Sequence, residues 1–403
     1  MSNSIAIFGL LVVLMAIGMP VGVALGLTVL SFMFIFTDVP LESVALKMFT
    51  GIEKFEIMAI PFFILAGNFL THGGVARRMI NFATAMVGHL RGGLGMSAVL
   101  ACALFAAVSG SSPATVVAIG SILIPAMIKQ GYPVRFGAGV VASAGGLGIL
   151  IPPSIVMVMY SVTTNTSVGA LFMAGVIPGL MLAFMLGLCT WYVARKNNYP
   201  TLPKVSWGDR LRHFRKAFWG LMLIVVVMGG IYSGIFTPTV AAAMSAVYAF
   251  FIAVFVYKDL TFRQIPRVLL DSANMSAMLL FIIASAVLFS FILTSEQIPQ
   301  RMADAIVASG MGAVGFLIVV NLLLLVAGAL MEPSSIILIL APILFPVAVA
   351  LGIDPIHFGV MIVVNMEIGM ITPPVGLNLF VASGITKAGL TEMSKSVLPW
   401  LYT

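Results

Sequence analysis

The chain has 403 residues, 61% of them hydrophobic and 8% charged, with a formal net charge of +7. A soluble domain carries roughly 25% charged residues, so no water-soluble surface can be built here. Apolar runs far longer than barrel strands also exclude a membrane β-barrel. About 20 apolar residues cross a bilayer, which leaves room for on the order of ten to twelve helical crossings.

In chain order, the first apolar run is Ile5 to Phe36. It lacks a basic leader and a small-residue cleavage site and is too long for a signal peptide, so it reads as a retained span. No Asp, Glu, Lys or Arg occurs from Gly92 to Ile128, from Phe136 to Ala194 or from Ala217 to Tyr257. Cys102 and Cys189 lie inside apolar runs and read as packing residues. The densest basic group is Arg195, Lys196, Lys204, Arg210, Arg212, Arg215 and Lys216. Short basic loops are what the cytoplasmic side of a membrane protein requires, so the positive charge calls for no nucleic acid. Lys258, Arg263 and Arg267 flank a short amphipathic stretch expected at the interface, and Asp271 is expected there too.

The sequence repeats. Slid along itself until Pro125 falls on Pro346, it also places Gly131 on Gly352, Gly148 on Gly369, Pro152-Pro153 on Pro373-Pro374 and Pro178 on Pro399. This divides the chain into a first repeat (1–194), a basic cytoplasmic linker (195–216) and a second repeat (217–403). Such repeats are a hallmark of secondary transporters, and an odd number of crossings per repeat would invert one against the other. In this register Thr403 falls on Leu182, so the last helix of the second repeat is expected to be incomplete.

Each repeat is interrupted twice. Ser109-Gly110-Ser111-Ser112-Pro113 lies in the middle of an uncharged run nearly twice the length of one crossing. It reads as the tip of a re-entrant hairpin, since irregular backbone at membrane depth is tolerated only inside protein or beside water; the alternative is an ordinary surface loop. The second interruption, Gly145-Gly146-Leu147-Gly148 through Pro152-Pro153-Ser154, cannot be regular helix, because Pro removes a donor and disturbs the preceding turn. Glu332-Pro333-Ser334-Ser335 and Gly369-Met370-Ile371-Thr372-Pro373-Pro374 stand at the matching places in the second repeat. Paired interruptions of this kind point to a transport site. Carboxylates within apolar zones are functional candidates. Glu332 is read as a site residue or as the cap of a half-helix, and Glu367 as either functional or structural. Asn365 and Asn378 would face a cavity or join two helices.

The run Phe105-Ala-Ala-Val-Ser-Gly-Ser-Ser-Pro-Ala-Thr-Val116, with Gly148-Ile-Leu-Ile-Pro-Pro-Ser154 and Gly369-Met-Ile-Thr-Pro-Pro-Val-Gly376, resembles the large membrane (M) subunit of TRAP transporters, the tripartite ATP-independent periplasmic transporters. The stretch Gly51 to Phe63 looks most like members that carry C4-dicarboxylates, with sialic acid or another carboxylate as the alternative. The resemblance implies an all-α polytopic membrane protein of the bacterial inner membrane, built from two inverted repeats, each with a re-entrant hairpin and a broken helix. Segments 1–91 and 217–310 would form a scaffold, and 92–194 and 311–403 an elevator-type transport domain. It further implies coupling to sodium rather than ATP, a separate small four-helix membrane subunit, and a periplasmic substrate-binding protein that delivers a small organic anion.

Within that frame one sodium is expected between the first tip and first break (Ser109, Ser112, Gly145, Gly148). A second is expected between the second tip and second break (Ser335, Gly369, Thr372). The anion would lie between the tips, held by Ser111, Ser112, Ser154, Glu332, Ser334 and Asn378, by half-helix N-termini and by the sodium charge. Sodium would then supply the counter-charge that an anion in a low dielectric lacks. A channel would need a continuous polar path, which residues clustered at two tips do not give. An enzyme would need a constellation that the scattered His72, His89, His213 and His357 do not form. No Gly-rich loop with Lys and Ser or Thr is present for direct use of ATP.

Overall fold

The computed structural model describes residues 2–36, 40–308, 310 and 312–402. Among these the chain is all helical and contains no strand, the all-α polytopic fold expected. Among the described residues eight helices are long and apolar enough to cross a membrane, or nine if Val134–Leu150 and Ile155–Thr164, bent by 41° at their break, count as one span. The remaining apolar residues form shorter helices, which is why fewer full crossings occur than length alone allows.

The chain opens with α1 (Ser2–Ala16) and α2 (Val21–Phe36). The run read as one span is therefore a pair of packed helices, parted where Gly18 takes φ +85° and Pro20 stands two residues later. Next come α3 (Leu41–Ile52), α4 (Ala59–His72) and α5 (Val75–Val87). The first hairpin is α6 (Gly93–Ser109) and α7 (Ser112–Lys129); the first broken helix is α8 (Val134–Gly145), α9 (Leu147–Leu150) and α10 (Ile155–Thr164). α11 (Val168–Lys196) closes this repeat.

The basic segment that follows divides between the end of α11, an open stretch, and the first turns of α12 (Trp207–Tyr232). The second repeat continues with α13 (Pro238–Phe251), extended by a π turn (Ile252–Val256), then α14 (Ile265–Ser295) and α15 (Ile298–Ala308). Its hairpin is α16 (Ala313–Leu330) and α17 (Pro333–Ala350), and its broken helix is α18 (Pro355–Met370) with α19 (Leu377–Thr386). α20 (Leu390–Leu401) is the last helix; the expectation about where this repeat stops falls on Thr403, outside the described residues.

The two tips turn by different means. After Ser109, Gly110 takes a left-handed conformation (φ +61°), and its N–H still bonds to Ala106 O. Ser111 is extended, and α7 starts with Pro113 in its first turn, where no backbone donor is needed. The second tip has no glycine: Met331 and Glu332 are both extended, and Pro333 starts α17. Both breaks pass through a cis Pro-Pro pair, Pro152-Pro153 and Pro373-Pro374. α14 packs against α2, α3, α4 and α17, and so joins the early helices to the second hairpin. The long helices leave Ile177, Phe184, Val225 and Val326 exposed, a surface suited to lipid and not to water.

Candidate transport site

Both hairpin tips face one cavity of about 400 Å³. Gly110, Ser111, Pro113 and Ala114 line it from the first tip, and Glu332, Pro333 and Ser334 from the second. Ile149, Ile155, Met370 and Leu377 come from the two broken helices, and Met275, Met278 and Leu279 from α14. No Lys or Arg lines it, and Glu332 is its one charged group.

The first tip is a cluster of oxygens. Ser109 Oγ lies 2.8 Å from Thr115 Oγ1, and that hydroxyl donates to Ser111 O at 2.9 Å. The first break closes on them: a methyl on Gly148 would stand 2.5 Å from Ser111 O and 2.8 Å from Thr115 Oγ1. Only a residue without a side chain admits this approach. Ile155 N–H donates to Gly110 O at 3.3 Å, so the tip also rests on the start of α10. Hydroxyls and carbonyls gathered in this way are hard donors able to hold a small hard cation. Gly145 serves packing, since a methyl there would meet Val116 Cγ2 at 2.2 Å.

The second tip and break also adjoin. Val375 and Gly376 donate to Ala329 O at 3.1 and 3.3 Å. A methyl on Gly369 would lie 2.6 Å from Gly328 Cα, so two backbones touch there. The hydroxyls are spent elsewhere. Ser335 Oγ donates to Glu332 Oε1 at 3.1 Å and faces a separate cavity against α1. Thr372 Oγ1 donates back to Ile368 O at 2.6 Å. No hydrogen bond joins Ser335 to Thr372 among the described residues.

Of the expected anion ligands, Ser111, Glu332 and Ser334 line the cavity. Ser112, Ser154 and Asn378 are fully buried and do not line it. Ser154 caps α10, accepting from Met157 N–H at 3.3 Å. Ser112 and Asn378 bond each other, and Asn378 Nδ2 also donates to Ala142 O at 3.0 Å. Asn365 likewise joins two helices, its Nδ2 lying 2.8 Å from Asn321 Oδ1. Glu332 occupies the N-cap position of α17, and its carboxylate accepts from the Ser335 hydroxyl in the first turn of that helix. Glu367 is buried at 4% exposure beside Gly146, and neither carboxylate oxygen has a hydrogen-bond partner among the described residues.

Sequence reasoning passed over Thr115 and the three α14 residues. Thr115 carried a signal: it stands one helical turn after Ser111, on the face its hydroxyl needs to reach that carbonyl. Met275, Met278 and Leu279 carried none, because apolar side chains in an apolar run look alike whether they face lipid, core or cavity. Among the described residues no three His, Cys, Asp or Glu side chains gather as a metal centre.

A family model described as the DctM component of the tripartite ATP-independent periplasmic transporter matches residues 8–403. The chain is similar to the C4-dicarboxylate TRAP transporter large permease protein DctM of Rhodobacter capsulatus, at 68% identity over 100% of this chain and 94% of that protein. It is also similar to the protein of that description from Pseudomonas aeruginosa, at 56% identity over 94% of this chain and 88% of that one. The solved structure of the YdaH transporter of Alcanivorax borkumensis matches with a TM-score of 0.62 over 90% of this chain and 85% of that one. At 16% identity that is a likeness of fold.

Proposed function

We propose that this chain, which belongs to the DctM component family of tripartite ATP-independent periplasmic transporters, imports a C4-dicarboxylate in symport with sodium. As the large membrane subunit of such a transporter it is a multi-pass protein of the bacterial inner membrane. The two relatives described as C4-dicarboxylate permeases, which it matches nearly end to end, support that cargo.

The observation that carries the reading is the cavity between the tips, which has hydroxyls, backbone and helix starts around it and no basic side chain. A dicarboxylate there needs positive charge from another source. The N-termini of α7 and α17 supply part of it, since the first turn of a helix carries about half a positive charge. Sodium at the Ser109, Ser111 and Thr115 oxygens beside Gly148 supplies the rest, and a second sodium lies between the Glu332 to Ser335 tip and the Gly369 to Thr372 break. Cargo and coupling ion then stabilise each other, because charges in a site poor in water interact far more strongly than in bulk. Glu332 is compatible with this arrangement: its charge lies at the positive end of α17 and holds Ser335. The hairpins and broken helices move together as an elevator against the remaining helices. A periplasmic binding protein delivers the anion, and a small four-helix subunit completes the membrane complex.

The test is reconstitution of the chain with its small subunit and binding protein in vesicles, following uptake of labelled succinate with and without an inward sodium gradient. Uptake should require all three proteins and the gradient. Equal uptake without sodium, or by this chain alone, would overturn the assignment.

A further inference from the structure

A second cavity, apart from the one between the tips, is strongly basic. Arg77 and Arg78 on α5, Arg215, Lys216 and Trp219 on α12, and Tyr257 beyond the π turn surround a space of about 450 Å³. The one acid on its rim, Asp259, is ion-paired with Arg78. Among the described residues the only other ion pair is Arg135 with Glu392, so Arg77, Arg215 and Lys216 have no carboxylate partner. Four cations thus face one carboxylate in a single recess.

The recess is built and held, not a chance run of loop charges. Tyr257 Oη donates to Lys216 O at 2.7 Å and accepts from Gly220 N–H at 3.4 Å, so the aromatic wall is pinned to α12. The Arg78 guanidinium stacks over the Tyr257 ring at 3.8 Å from its centroid. Tyr248 Oη donates to Trp219 O at 2.9 Å and fixes the other side. An aromatic residue of its wall stands exposed: Trp219 is 42% exposed. Water does not favour such side chains, whereas the headgroup level of a bilayer does. The basic residues place this end of the molecule on the cytoplasmic side, where the leaflet is anionic. Below the recess, Met244, Val247, Phe251 and Phe255 form one exposed apolar stripe along α13 and its π turn.

We propose that this recess binds the headgroup of an anionic phospholipid, with its acyl chains lying along the α13 stripe. The phosphate is held by Arg77, Arg215 and Lys216. Arg78 is positioned by Asp259 and Tyr257 to close the recess and is not the primary contact. Guanidinium groups suit this task because their planar fork matches phosphate oxygens, and they stack on aromatic rings. The binding locks α5 to α12 at the cytoplasmic surface, on helices separate from the hairpins and broken helices.

Phosphate chemistry alone does not separate a lipid from free phosphate, and the experiment does. The purified full chain in neutral detergent is titrated with phosphatidylglycerol and, in parallel, with phosphatidylethanolamine, and lipid-bound species are read by native mass spectrometry. Phosphatidylglycerol should be retained in preference. Arg77→Ala with Arg215→Ala should weaken its binding about 25-fold, the worth of two basic residues near a membrane surface. Arg77→Lys with Arg215→Lys should restore most of it, and Lys129→Ala with Lys395→Ala, outside the recess, should change nothing. Excess inorganic phosphate should leave the lipid in place. Equal retention of the two lipids, equal loss in the outside pair, or displacement by inorganic phosphate would each overturn the proposal.

Discussion

Asn378 and Ser112 hold each other across the two repeats. The Asn378 amide nitrogen lies 2.7 Å from Ser112 Oγ, and Ser112 Oγ lies 3.1 Å from Asn378 Oδ1. The same amide reaches Ala142 O, so one side chain from the second broken helix ties together the first hairpin and the first broken helix. Both residues are wholly buried, and a buried polar group left without its partner costs about 1–3 kcal/mol.

The first prediction follows from that asymmetry. Ser112→Ala leaves Asn378 bonded to Ala142 and should cost about 1 kcal/mol, whereas Asn378→Ala strands both a hydroxyl and a carbonyl and should cost about 2–3 kcal/mol. Thermal unfolding in detergent, followed by tryptophan fluorescence, should rank wild type above Ser112→Ala and both above Asn378→Ala. The double variant should cost less than the two singles added, because neighbours in one network couple. A Ser112→Ala loss equal to that of Asn378→Ala would contradict the shared-bond account.

These two residues also mark where the sequence stops being legible. Pro and Gly act on the backbone, and their effects are local, so the four interruptions and the register between repeats can be read directly. A serine or asparagine is different: its hydrogen bond goes to a cavity, a helix end or another helix, and only the packed structure decides which. Ser111 and Ser112 are adjacent and chemically identical, yet one lines the cavity and the other is sealed in the core. Ser154 turned to its own helix and Ser335 to Glu332 for the same reason. The α14 wall was invisible because its contribution is shape, and shape at a long sequence separation leaves no local mark.

The second prediction concerns the glycines at which the tips and breaks meet. A methyl on Gly148 would stand 2.5 Å from Ser111 O, and one on Gly369 2.6 Å from Gly328 Cα. Both obstacles are backbone, so neither can rotate away, and overpacking typically costs about 1–3 kcal/mol. Gly148→Ala and Gly369→Ala should each lower reconstituted uptake by at least about tenfold, since a displacement costing 1.4 kcal/mol already suffices for that factor. Gly384→Ala is the control: nothing lies within 4 Å of the added methyl, and it sits inside helix α19. Uptake there should match wild type, with stability unchanged or slightly raised, as alanine favours helix over glycine by about 1 kcal/mol. Normal uptake by Gly148→Ala would mean that the first tip and break do not need their close approach.

The third prediction concerns Glu367, which stands opposite Gly146, with both carboxylate oxygens unpartnered in the protein interior. An ionised carboxylate without a partner at such a site costs several kcal/mol. Glutamine keeps the shape and removes the charge, and it has no existing hydrogen bond to lose. Glu367→Gln should therefore fold to wild-type yield and, in sodium-free buffer, unfold at a temperature no lower than the wild type. Adding sodium separates two roles. If the carboxylate is structural, salt shifts both proteins by the same amount, because any ion held at the tips is held equally in each. If the wild type alone gains stability, the carboxylate takes part in holding the ion, and the ligand set extends from the Ser109 cluster to Glu367 through the Gly146 turn. The structural reading predicts equal shifts, since no oxygen of the first tip bonds to this carboxylate. A sodium-dependent gain confined to the wild type would refute it.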